Sequence, residues 1–227
     1  MKIMFAGPSG IGKTTLAEWL ATELGYEFVS GSVSDLIPST KEMTHEEMLG
    51  RDSKELERED WQVMNLRNKK FKDLENFVSD RSYLDLSAYY LYKQAAKVPG
   101  CEIEHFLSMC SMLTCQQCDL LVLLLLDDKD LNKWITEDNK KRITSNYFQN
   151  LMSNIMYNNL GLMGYNEFGR YNSISKGLFK EYSIKKPVGR GRIETVYGNT
   201  EVIVITELNI DIRKEILKLV TCQLRKK

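Results

Sequence analysis

The chain has 227 residues, 43% of them hydrophobic and 27% charged, and its 31 basic residues balance its 31 acidic residues. This length suits one α/β domain with an insertion, and the composition is that of a globular protein rather than a disordered one. A net charge of zero excludes a global field that attracts nucleic acid, so any basic surface must be local.

The apolar segments are too short to serve as targeting or membrane segments. The first residues, MKIMFAG, run into glycine and proline, which does not fit a signal peptide. The longest apolar run, LLVLLLL at 120–126, is far shorter than the roughly 20 residues that cross a bilayer. We therefore expect a cytoplasmic protein, in the host cytoplasm if a phage encodes it.

The first elements in chain order alternate between strand and helix. KIMFAG at 2–7 predicts a buried strand. Apolar residues at helical spacing predict the helix that follows: Leu16, Trp19, Leu20 and Leu24. Gly25 is a stop signal for that helix, and YEFVSG at 26–31 predicts a second short strand. Residues 44–75 are highly charged with widely spaced apolar residues, which predicts one or two exposed helices.

The second half of the chain continues the alternation. The predicted elements are a strand at 76–80, helices at 83–97 and 104–118, a strand at 119–127, a helix at 145–159, a strand at 201–206 and a helix at 212–224. Strands that alternate with helices predict βαβ units and a parallel sheet with helices on both faces. The unbroken LLVLLLL run agrees, because a strand buried on both faces does not need polar residues at alternate positions.

Residues 160–199 do not fit the alternation, and we interpret them as an insertion before the last strand. They hold seven basic residues against three acidic ones, a local charge of +4 in a neutral protein. Aromatic residues are interleaved with these cations: Tyr165, Phe168, Tyr171, Phe179, Tyr182 and Tyr197. Aromatic faces among cations suit unstacked bases and phosphates. The alternative, which we slightly favour, is a solvated and partly ordered loop that covers a small-molecule site.

Four of the five cysteines fall within eighteen residues: Cys101, Cys110, Cys115 and Cys118. Cys115 and Cys118 have the spacing of zinc ligands, but the sequence offers no second pair and no suitably spaced histidine. We therefore predict free thiols buried on a helix rather than a zinc site.

GPSGIGKT at 7–14 matches the phosphate-binding loop pattern G-x-x-x-x-G-K-[ST], with a predicted strand before it and a helix after it. Its glycines let successive backbone N–H groups point at phosphate oxygens, and the helix that begins near Gly12 adds its positive end. Lys13 then reaches the β- and γ-phosphates, and the Thr14 hydroxyl is a ligand for Mg²⁺. The residues predicted to bind ATP are Gly7, Pro8, Ser9, Gly10, Ile11, Gly12, Lys13, Thr14 and Thr15.

The motif DRS at 80–82 closes the third predicted strand. With the P-loop, it makes the chain resemble the P-loop nucleoside and nucleotide kinases, which include thymidylate kinases and deoxynucleoside kinases. The resemblance covers residues 1 to about 160 and 200–222. It implies one α/β kinase domain over 1–227, a three-layer sandwich with a parallel sheet of about five strands in the order 2-3-1-4-5.

The resemblance also implies roles for the DRS residues. Asp80 would hold the hydration shell of Mg²⁺ or orient the acceptor, and Arg81 would clamp a phosphate through its planar guanidinium. The alternative for Asp80 is that it caps the following helix. Thymidylate kinases often carry an acid within the P-loop, and this chain does not, which weakens an assignment to that branch.

KKRITSNYF at 140–148 lies where these kinases place a lid over the triphosphate, and 128–145 is the candidate lid. Lys140, Lys141 and above all Arg142 would close on the transferring phosphoryl group and offset its charge. The alternative is that these cations are simply solvated.

Asp35 shortly follows the second predicted strand and is the candidate general base for a hydroxyl acceptor. The alternative is a turn-forming aspartate. An acceptor that is already a phosphate needs arginines instead, and Arg51, Arg58 and Arg67 are available, with salt bridges on a helix surface as their expected fate.

Three hypotheses follow for the function. The leading one is an ATP-dependent phosphotransferase acting on a deoxynucleotide or nucleoside, with a pyrimidine favoured. The second is a phage kinase that phosphorylates the hydroxymethyl group of 5-hydroxymethyluracil in DNA, with 160–199 binding the DNA. The third is a P-loop ATPase or switch, because Asp127 and Asp128 follow the long apolar strand as a Walker-B acid does. The oligomeric state stays open, a homodimer included.

Overall fold

The computed structural model describes residues 1–40, 43, 47, 50–125, 145–164, 191–197, 200–205 and 212–224. The elements in these ranges are β1 (Lys2–Ala6), α1 (Lys13–Leu24), β2 (Glu27–Val29), α2 (Val33–Leu36), a 3₁₀ turn (Pro38–Thr40), α3 (Ser53–Phe71), β3 (Phe77–Ser79), α4 (Tyr83–Gln94), α5 (Gly100–Gln117), β4 (Leu120–Leu124), α6 (Asn146–Gly164), β5 (Gly191–Tyr197), β6 (Thr200–Ile205) and α7 (Ile212–Leu224). The predicted elements are therefore present, with ends that differ by a few residues.

The strands form one sheet in the order β2-β3-β1-β4-β6-β5. The first five strands in this order are parallel. Since β6 is the fifth parallel strand along the chain, the predicted parallel sheet with the order 2-3-1-4-5 is confirmed. The sequence did not predict β5, which lies within residues 160–199, the segment that we interpreted as an insertion. It pairs antiparallel with β6 and forms the edge of the sheet.

Alternation along the buried strands divides the core between the two faces of the sheet, because successive side chains of a strand point to opposite faces. On β1, Met4 and Ala6 pack with α3, α4, α5 and α6. Ile3 and Phe5 pack on the other face with α1 and α7. Residues 120–124 of β4 are fully buried, so the apolar run is a central strand with helices on both sides.

The helix α3 contradicts the prediction of exposed helices at 44–75, because one of its faces is buried. The buried residues of α3 are Leu56, Glu59, Asp60, Val63, Met64, Arg67 and Phe71. Three of these seven are charged, so the buried face does not read as apolar in the sequence. Asp52 caps the helix by accepting from the backbone N–H groups of Lys54 and Glu55.

The cysteines largely follow the prediction of buried thiols. Cys110 on α5 and Cys118 directly after it are buried, whereas Cys101 at the start of α5 is exposed. Burial raises the pKa of the half-buried Cys115 thiol to about 12, so it stays protonated near neutral pH. Within the described ranges, no three His, Cys, Asp or Glu side chains come together as metal ligands would.

Among the helices that the structure describes, not one combines the length and the apolar character needed to cross a membrane.

Candidate active site

The P-loop connects the carboxyl end of β1 to the amino end of α1. Gly10 and Gly12 have φ angles of 86° and 82°, values in the left-handed region that favours glycine. Gly12 directly precedes α1, and its carbonyl accepts the first hydrogen bond of the helix from the N–H of Leu16. The loop thus turns tightly and leads into the positive end of a twelve-residue helix.

Gly7 is required for a different reason, because neighbouring atoms leave no room for a side chain at this position. A Cβ atom at this position would lie 2.6 Å from Cδ1 of Ile11 and 2.7 Å from the carbonyl oxygen of Leu124. The φ angle of Gly7 is also positive, at 145°. The first glycine of the P-loop therefore allows the loop to pack directly against the end of β4.

Replacing Gly7 by alanine is expected to destabilise the protein by about 1–3 kcal/mol, because the new methyl group overlaps backbone that cannot move aside. Urea unfolding of the variant measures this change. Gly100→Ala is the matched control, since a Cβ atom at Gly100 meets nothing within 4 Å. An unfolding midpoint of Gly7→Ala equal to that of Gly100→Ala would contradict the expectation.

Lys13 is 4% exposed and its ammonium lies inside the loop. Nζ donates to the carbonyl oxygens of Gly7 at 2.7 Å and Pro8 at 2.5 Å. Ile11 is buried in the core beneath the loop, and Thr15 on the first turn of α1 is exposed. Of the predicted ATP-binding residues, Ile11 therefore has a packing role, and Gly7 and Pro8 hold the ammonium of Lys13.

Asp80 connects the ends of two strands to the P-loop. It is 2% exposed. Its Oδ2 accepts from the Thr14 hydroxyl at 2.8 Å, and its Oδ1 accepts from the N–H of Gly31 at 3.0 Å. The structure therefore brings the two predicted metal ligands, Thr14 and Asp80, into direct contact.

The alternative reading of Asp80 as a helix cap is wrong. The cap of α4 is Ser82, which forms a capping box with Asp85. Asp80 lies two residues before the capping position, and its oxygens are engaged with Thr14 and Gly31 instead.

The chemistry of Thr14 and Asp80 fits Mg²⁺, which prefers oxygen ligands and is bound by one or two protein oxygens together with phosphate and water. A threonine hydroxyl can offer a lone pair to a cation while its proton stays on a carboxylate. The contact between Thr14 and Asp80 has this donor arrangement.

Asp85 is a residue of the site that the sequence analysis missed. Its Oδ1 accepts from the N–H of Gly7 at 3.0 Å, and its Oδ2 accepts from the N–H and hydroxyl of Ser82. The carboxylate therefore ties the P-loop to the start of α4. The S-x-x-D spacing at 82–85, a capping-box signature, was the available signal.

Arg67 contradicts the expectation of a surface salt bridge. It is 2% exposed, and it donates from Nε to the carbonyl of Gly31 at 2.9 Å and from NH1 to the carbonyl of Ser82 at 2.7 Å. Burial lowers the pKa of this guanidinium, and the nearby Asp85 carboxylate opposes that effect. Arg67 thus fixes the segments after β2 and β3 relative to each other.

Arg51 does form the expected salt bridges, to Glu55 at 2.9 Å and Glu59 at 2.6 Å. Hydrogen bonds from both carboxylates raise the pKa of its guanidinium. Arg58 on α3 is exposed. Arg81 is half-buried beside Gly31, whose missing side chain leaves room for it, because a Cβ there would lie 2.8 Å from Cβ of Arg81.

A cavity of about 460 Å³ opens beside the P-loop, within the size range of small-molecule sites. Residues near the P-loop end of it include Ser9, Thr14, Ser30, Asp35, Asp80 and Arg81. Asp35 lies on α2, where its Oδ2 accepts a short hydrogen bond from the Ser30 hydroxyl. The structure therefore brings Asp35, Asp80 and Arg81 to one cavity, as the sequence predicted of a site.

Besides residues 32–34, Thr40 and Met43, the cavity has a wall formed by α3, α4 and α6. It contains Glu59, Asp60, Leu86, Tyr89, Tyr92, Lys93 and Phe148. On α4 the lining residues recur at 85, 86, 89, 92 and 93, which is one face of a helix. The sequence analysis missed this wall, although that spacing could have indicated it.

The candidate lid at 128–145 lies outside the described residues except for Ser145, so Lys140, Lys141 and Arg142 have no described position, and neither do Asp127 and Asp128. The chain returns at α6, where Nε2 of Gln149 donates to the carbonyl of Ser9 at 2.8 Å. The residues after the candidate lid therefore contact the P-loop directly.

The model of one protein family, described as an AAA domain, matches residues 2–161. None of the curated proteins matches the chain. The match to the family runs from β1 to near the end of α6, which includes the P-loop, the DRS motif and the cavity wall.

Solved structures resemble the whole chain. A deoxyadenosine kinase from M. mycoides with bound dCTP has a TM-score of 0.55 and 16% identity, with 100% of both chains covered. The same enzyme with the products dCMP and a flexible dCDP has a TM-score of 0.56 and 18% identity, again over 100% of both chains. The YorR protein from Bacillus subtilis, in complex with phosphorylated GDP, has a TM-score of 0.53 and 14% identity over 98% of this chain and 97% of that one. These similarities confirm the predicted P-loop kinase fold.

Proposed function

The chain belongs to the AAA domain family, and from that premise we propose that it is an ATP- and Mg²⁺-dependent kinase that phosphorylates a hydroxyl group of a nucleoside. The observation that carries this proposal is the cavity of about 460 Å³ that reaches from Thr14 of the P-loop to Lys93 of α4. An enzyme that transfers phosphate only to water has no need of an acceptor cavity of this size beside the P-loop. The P-loop ATPase or switch is therefore the weaker hypothesis.

The charges around the cavity support a hydroxyl acceptor over a phosphate acceptor. Carboxylates line it at Asp35, Glu59, Asp60, Asp80 and Asp85. Of the arginines that a phosphate acceptor would use, Arg51 is held in salt bridges and Arg67 donates to two backbone carbonyls. Against these five carboxylates the lining has three cations, Arg67, Arg81 and Lys93. The net negative charge disfavours a dianionic phosphate, and Arg81 is the described arginine at the P-loop end.

The proposed mechanism assigns a role to each group at that end. Asp35 accepts the proton of the attacking hydroxyl, whose oxygen forms a bond to the γ-phosphorus of ATP while the bond to the β-phosphate oxygen breaks and ADP leaves. Lys13 and Arg81 stabilise the charge on the transferring group. Thr14 and Asp80 would hold Mg²⁺, which offsets phosphate charge when it is bound.

Other parts of the predicted function remain proposals with less support. Closure of Arg142 over the phosphoryl group is supported by the contact of Gln149 with Ser9, which brings the chain after the candidate lid to the site. The preference for a pyrimidine and the cytoplasmic location stay predictions. The DNA-kinase hypothesis also stays a prediction, because it depends on residues 160–199, of which 165–190 and 198–199 lie outside the described ranges.

Incubation with ATP labelled at the γ-phosphate tests the proposal directly. Label should move to deoxynucleosides. Deoxynucleoside monophosphates and DNA that contains 5-hydroxymethyluracil should both accept less label. Label that appears only as inorganic phosphate would eliminate a kinase of any kind.

Replacing Asp35 by asparagine is expected to lower transfer to nucleosides by about 10²-fold, because the attacking hydroxyl loses its general base. Transfer to a monophosphate, whose oxygens are already ionised, should change far less. Initial rates with both acceptors measure the contrast, and Asp73→Asn, an exposed carboxylate on the surface, is the control. Equal losses with both acceptors would show that Asp35 does not act as the base.

A further inference from the structure

Gln149 joins the first turn of α6 to the P-loop through a contact that the proposed chemistry does not use. Its side chain is 2% exposed, and Nε2 donates to the carbonyl oxygen of Ser9 at 2.8 Å. The two residues are 140 positions apart in the sequence, so only the tertiary structure brings them together. A buried donor from a distant helix therefore contacts the loop that would hold the phosphates of ATP.

Three successive carbonyl groups of the P-loop accept hydrogen bonds from side chains. Those of Gly7 and Pro8 accept from Nζ of Lys13, which belongs to the loop itself. The carbonyl of Ser9 accepts from Gln149 on α6. Of these three carbonyl groups, that of Ser9 is the one held by a donor from outside the loop.

Local packing does not fix the direction of the peptide between Ser9 and Gly10. Gly10 has a φ angle of 86°, and glycine adopts positive and negative φ angles about equally readily. A Cβ atom placed on Gly10 would meet no atom of the described residues within 4 Å. Neighbouring atoms thus leave room for this peptide to turn, and the hydrogen bond from Gln149 favours one of its orientations.

The orientation of this peptide decides where the N–H group of Gly10 points. The C=O and N–H groups of a trans peptide point in opposite directions, and the described residues contain no cis peptide bond. Because the Ser9 carbonyl is turned toward α6, the N–H of Gly10 points away from α6. Backbone N–H groups of a P-loop bind phosphate oxygens, so turning the peptide over would replace a donor by an acceptor.

The position of Gln149 is itself set by contacts between α6 and α4. The ring of the adjacent Phe148, which is 5% exposed, meets the ring of Tyr92 edge to face with centroids 5.2 Å apart. Further along α6, Nδ2 of Asn159 donates to Oγ of Ser87 at 3.1 Å. The donor to Ser9 is therefore in place before ATP arrives, which lowers the entropy lost on binding.

We propose that Gln149 is a positioning residue of the ATP site, which holds the peptide between Ser9 and Gly10 with the Gly10 N–H directed at the phosphates of ATP. This inference rests on the proposed use of ATP and adds a residue to the site that binds it. Without the donor, the peptide adopts both orientations, and the apparent affinity falls with the fraction that can bind phosphate. Loss of one hydrogen bond corresponds to a change of about 3- to 10-fold in such an equilibrium.

Replacing Gln149 by methionine tests the proposal, because methionine keeps most of the size of the side chain and cannot donate. Isothermal titration calorimetry with Mg²⁺ and ATP should show an affinity about 3- to 10-fold weaker than that of the original chain. In initial rates, the KM for ATP should rise and the KM for the deoxynucleoside should stay the same. A weakening below threefold, or an equal rise of both KM values, would overturn the proposal.

Gln117→Met is the matched control, because it removes the same atoms from another buried glutamine. Gln117 is 5% exposed, and its side chain contacts Asn68 and the Tyr83 hydroxyl rather than the P-loop. This variant should bind ATP as the original chain does, and a weakening equal to that of Gln149→Met would refute a specific role of Gln149.

A second variant, Gln149→Glu, keeps the length and polarity of the side chain. An ionised carboxylate only accepts hydrogen bonds, so this variant should bind ATP at least threefold more weakly than the original chain. A Gln149→Glu variant that binds ATP as tightly as the original chain at neutral pH would refute the proposal even if Gln149→Met does not fold.

The direction of the Gly10 N–H is also measurable in the unaltered chain. The amide proton resonance of Gly10, followed by NMR, should move downfield when ATP and Mg²⁺ are added, because a hydrogen bond to a charged phosphate oxygen is short and strong. A Gly10 resonance that stays in place or moves upfield at saturating ATP would overturn the proposal.

ATP binding and phosphoryl transfer are read separately, so this proposal and the kinase function can fail independently. Weaker ATP binding by Gln149→Met, in a chain that transfers no label to any nucleoside, would support the positioning role and overturn the kinase function. Transfer of label to nucleosides, with equal ATP affinities for Gln149→Met and the original chain, would support the kinase function and overturn the positioning role.

Discussion

Replacing Lys13 by methionine is expected to lower phosphoryl transfer by about 10³-fold, which is the scale of losing a charged group that stabilises the transferring phosphoryl group. The ammonium lies inside the P-loop, within 2.7 Å of the Gly7 carbonyl, so it is already placed where the phosphates of ATP would enter. Methionine keeps most of the length of the side chain and removes the charge. Initial rates with labelled ATP and the preferred nucleoside measure the loss.

The control for Lys13→Met is Lys69→Met, which removes an exposed lysine of α3. Its rate should equal that of the original chain. Circular dichroism and the unfolding midpoint establish that Lys13→Met keeps its fold, because two backbone carbonyls lose their donor in this variant. A folded Lys13→Met variant with more than a tenth of the original rate would rule out the P-loop as the phosphate site.

Replacing Asp80 by asparagine should also lower the rate by about 10³-fold, because a metal ion that neutralises phosphate charge contributes several kcal/mol to transfer. Asparagine can still accept from the N–H of Gly31, but it presents a neutral group to the Thr14 hydroxyl. The affinity for Mg²⁺ should fall with the charge. The Mg²⁺ concentration at half-maximal rate should therefore rise, and a metal titration of the rate measures this shift.

This metal dependence separates a role in holding Mg²⁺ from a role in fixing the segment after β2. A purely structural Asp80 would lower the rate of the asparagine variant equally at every Mg²⁺ concentration. Asp73→Asn, which removes an exposed carboxylate, should change neither the rate nor the metal dependence. An unchanged Mg²⁺ requirement in Asp80→Asn would thus count against Asp80 as a metal-binding residue.

The fold was largely predictable because its signals are local. Glycines with positive φ, an unbroken apolar strand and the alternation of strand and helix each depend on neighbours in the sequence. Gly25 ends α1 in the left-handed conformation, as its place after the last apolar residue predicted. The strand β5 was missed because an edge strand is set by its partner β6, with which it pairs antiparallel.

The candidate site was predictable only in part, because some of its residues are set by tertiary contacts and not by neighbours in the sequence. The P-loop residues and the DRS motif stand together in the sequence, and the structure brings Thr14 and Asp80 to 2.8 Å. Arg67 and Asp60 were missed as residues of the site because burial changes what a charged side chain does. On an exposed helix each would pair with a neighbour one turn away, whereas in the buried interior each must find partners among distant residues.

By itself, then, the order of amino acids determined the phosphate-binding loop, the parallel sheet and the pair of residues that fits a magnesium ion. These features arise from short-range backbone geometry and from which residues avoid water. Tertiary structure alone decided the depth and lining of the acceptor cavity, because it brings α3, α4 and α6 together over the ends of the strands. Only that packing buries the carboxylate of Asp60 beside Lys93, which comes from a helix 33 residues further along the chain.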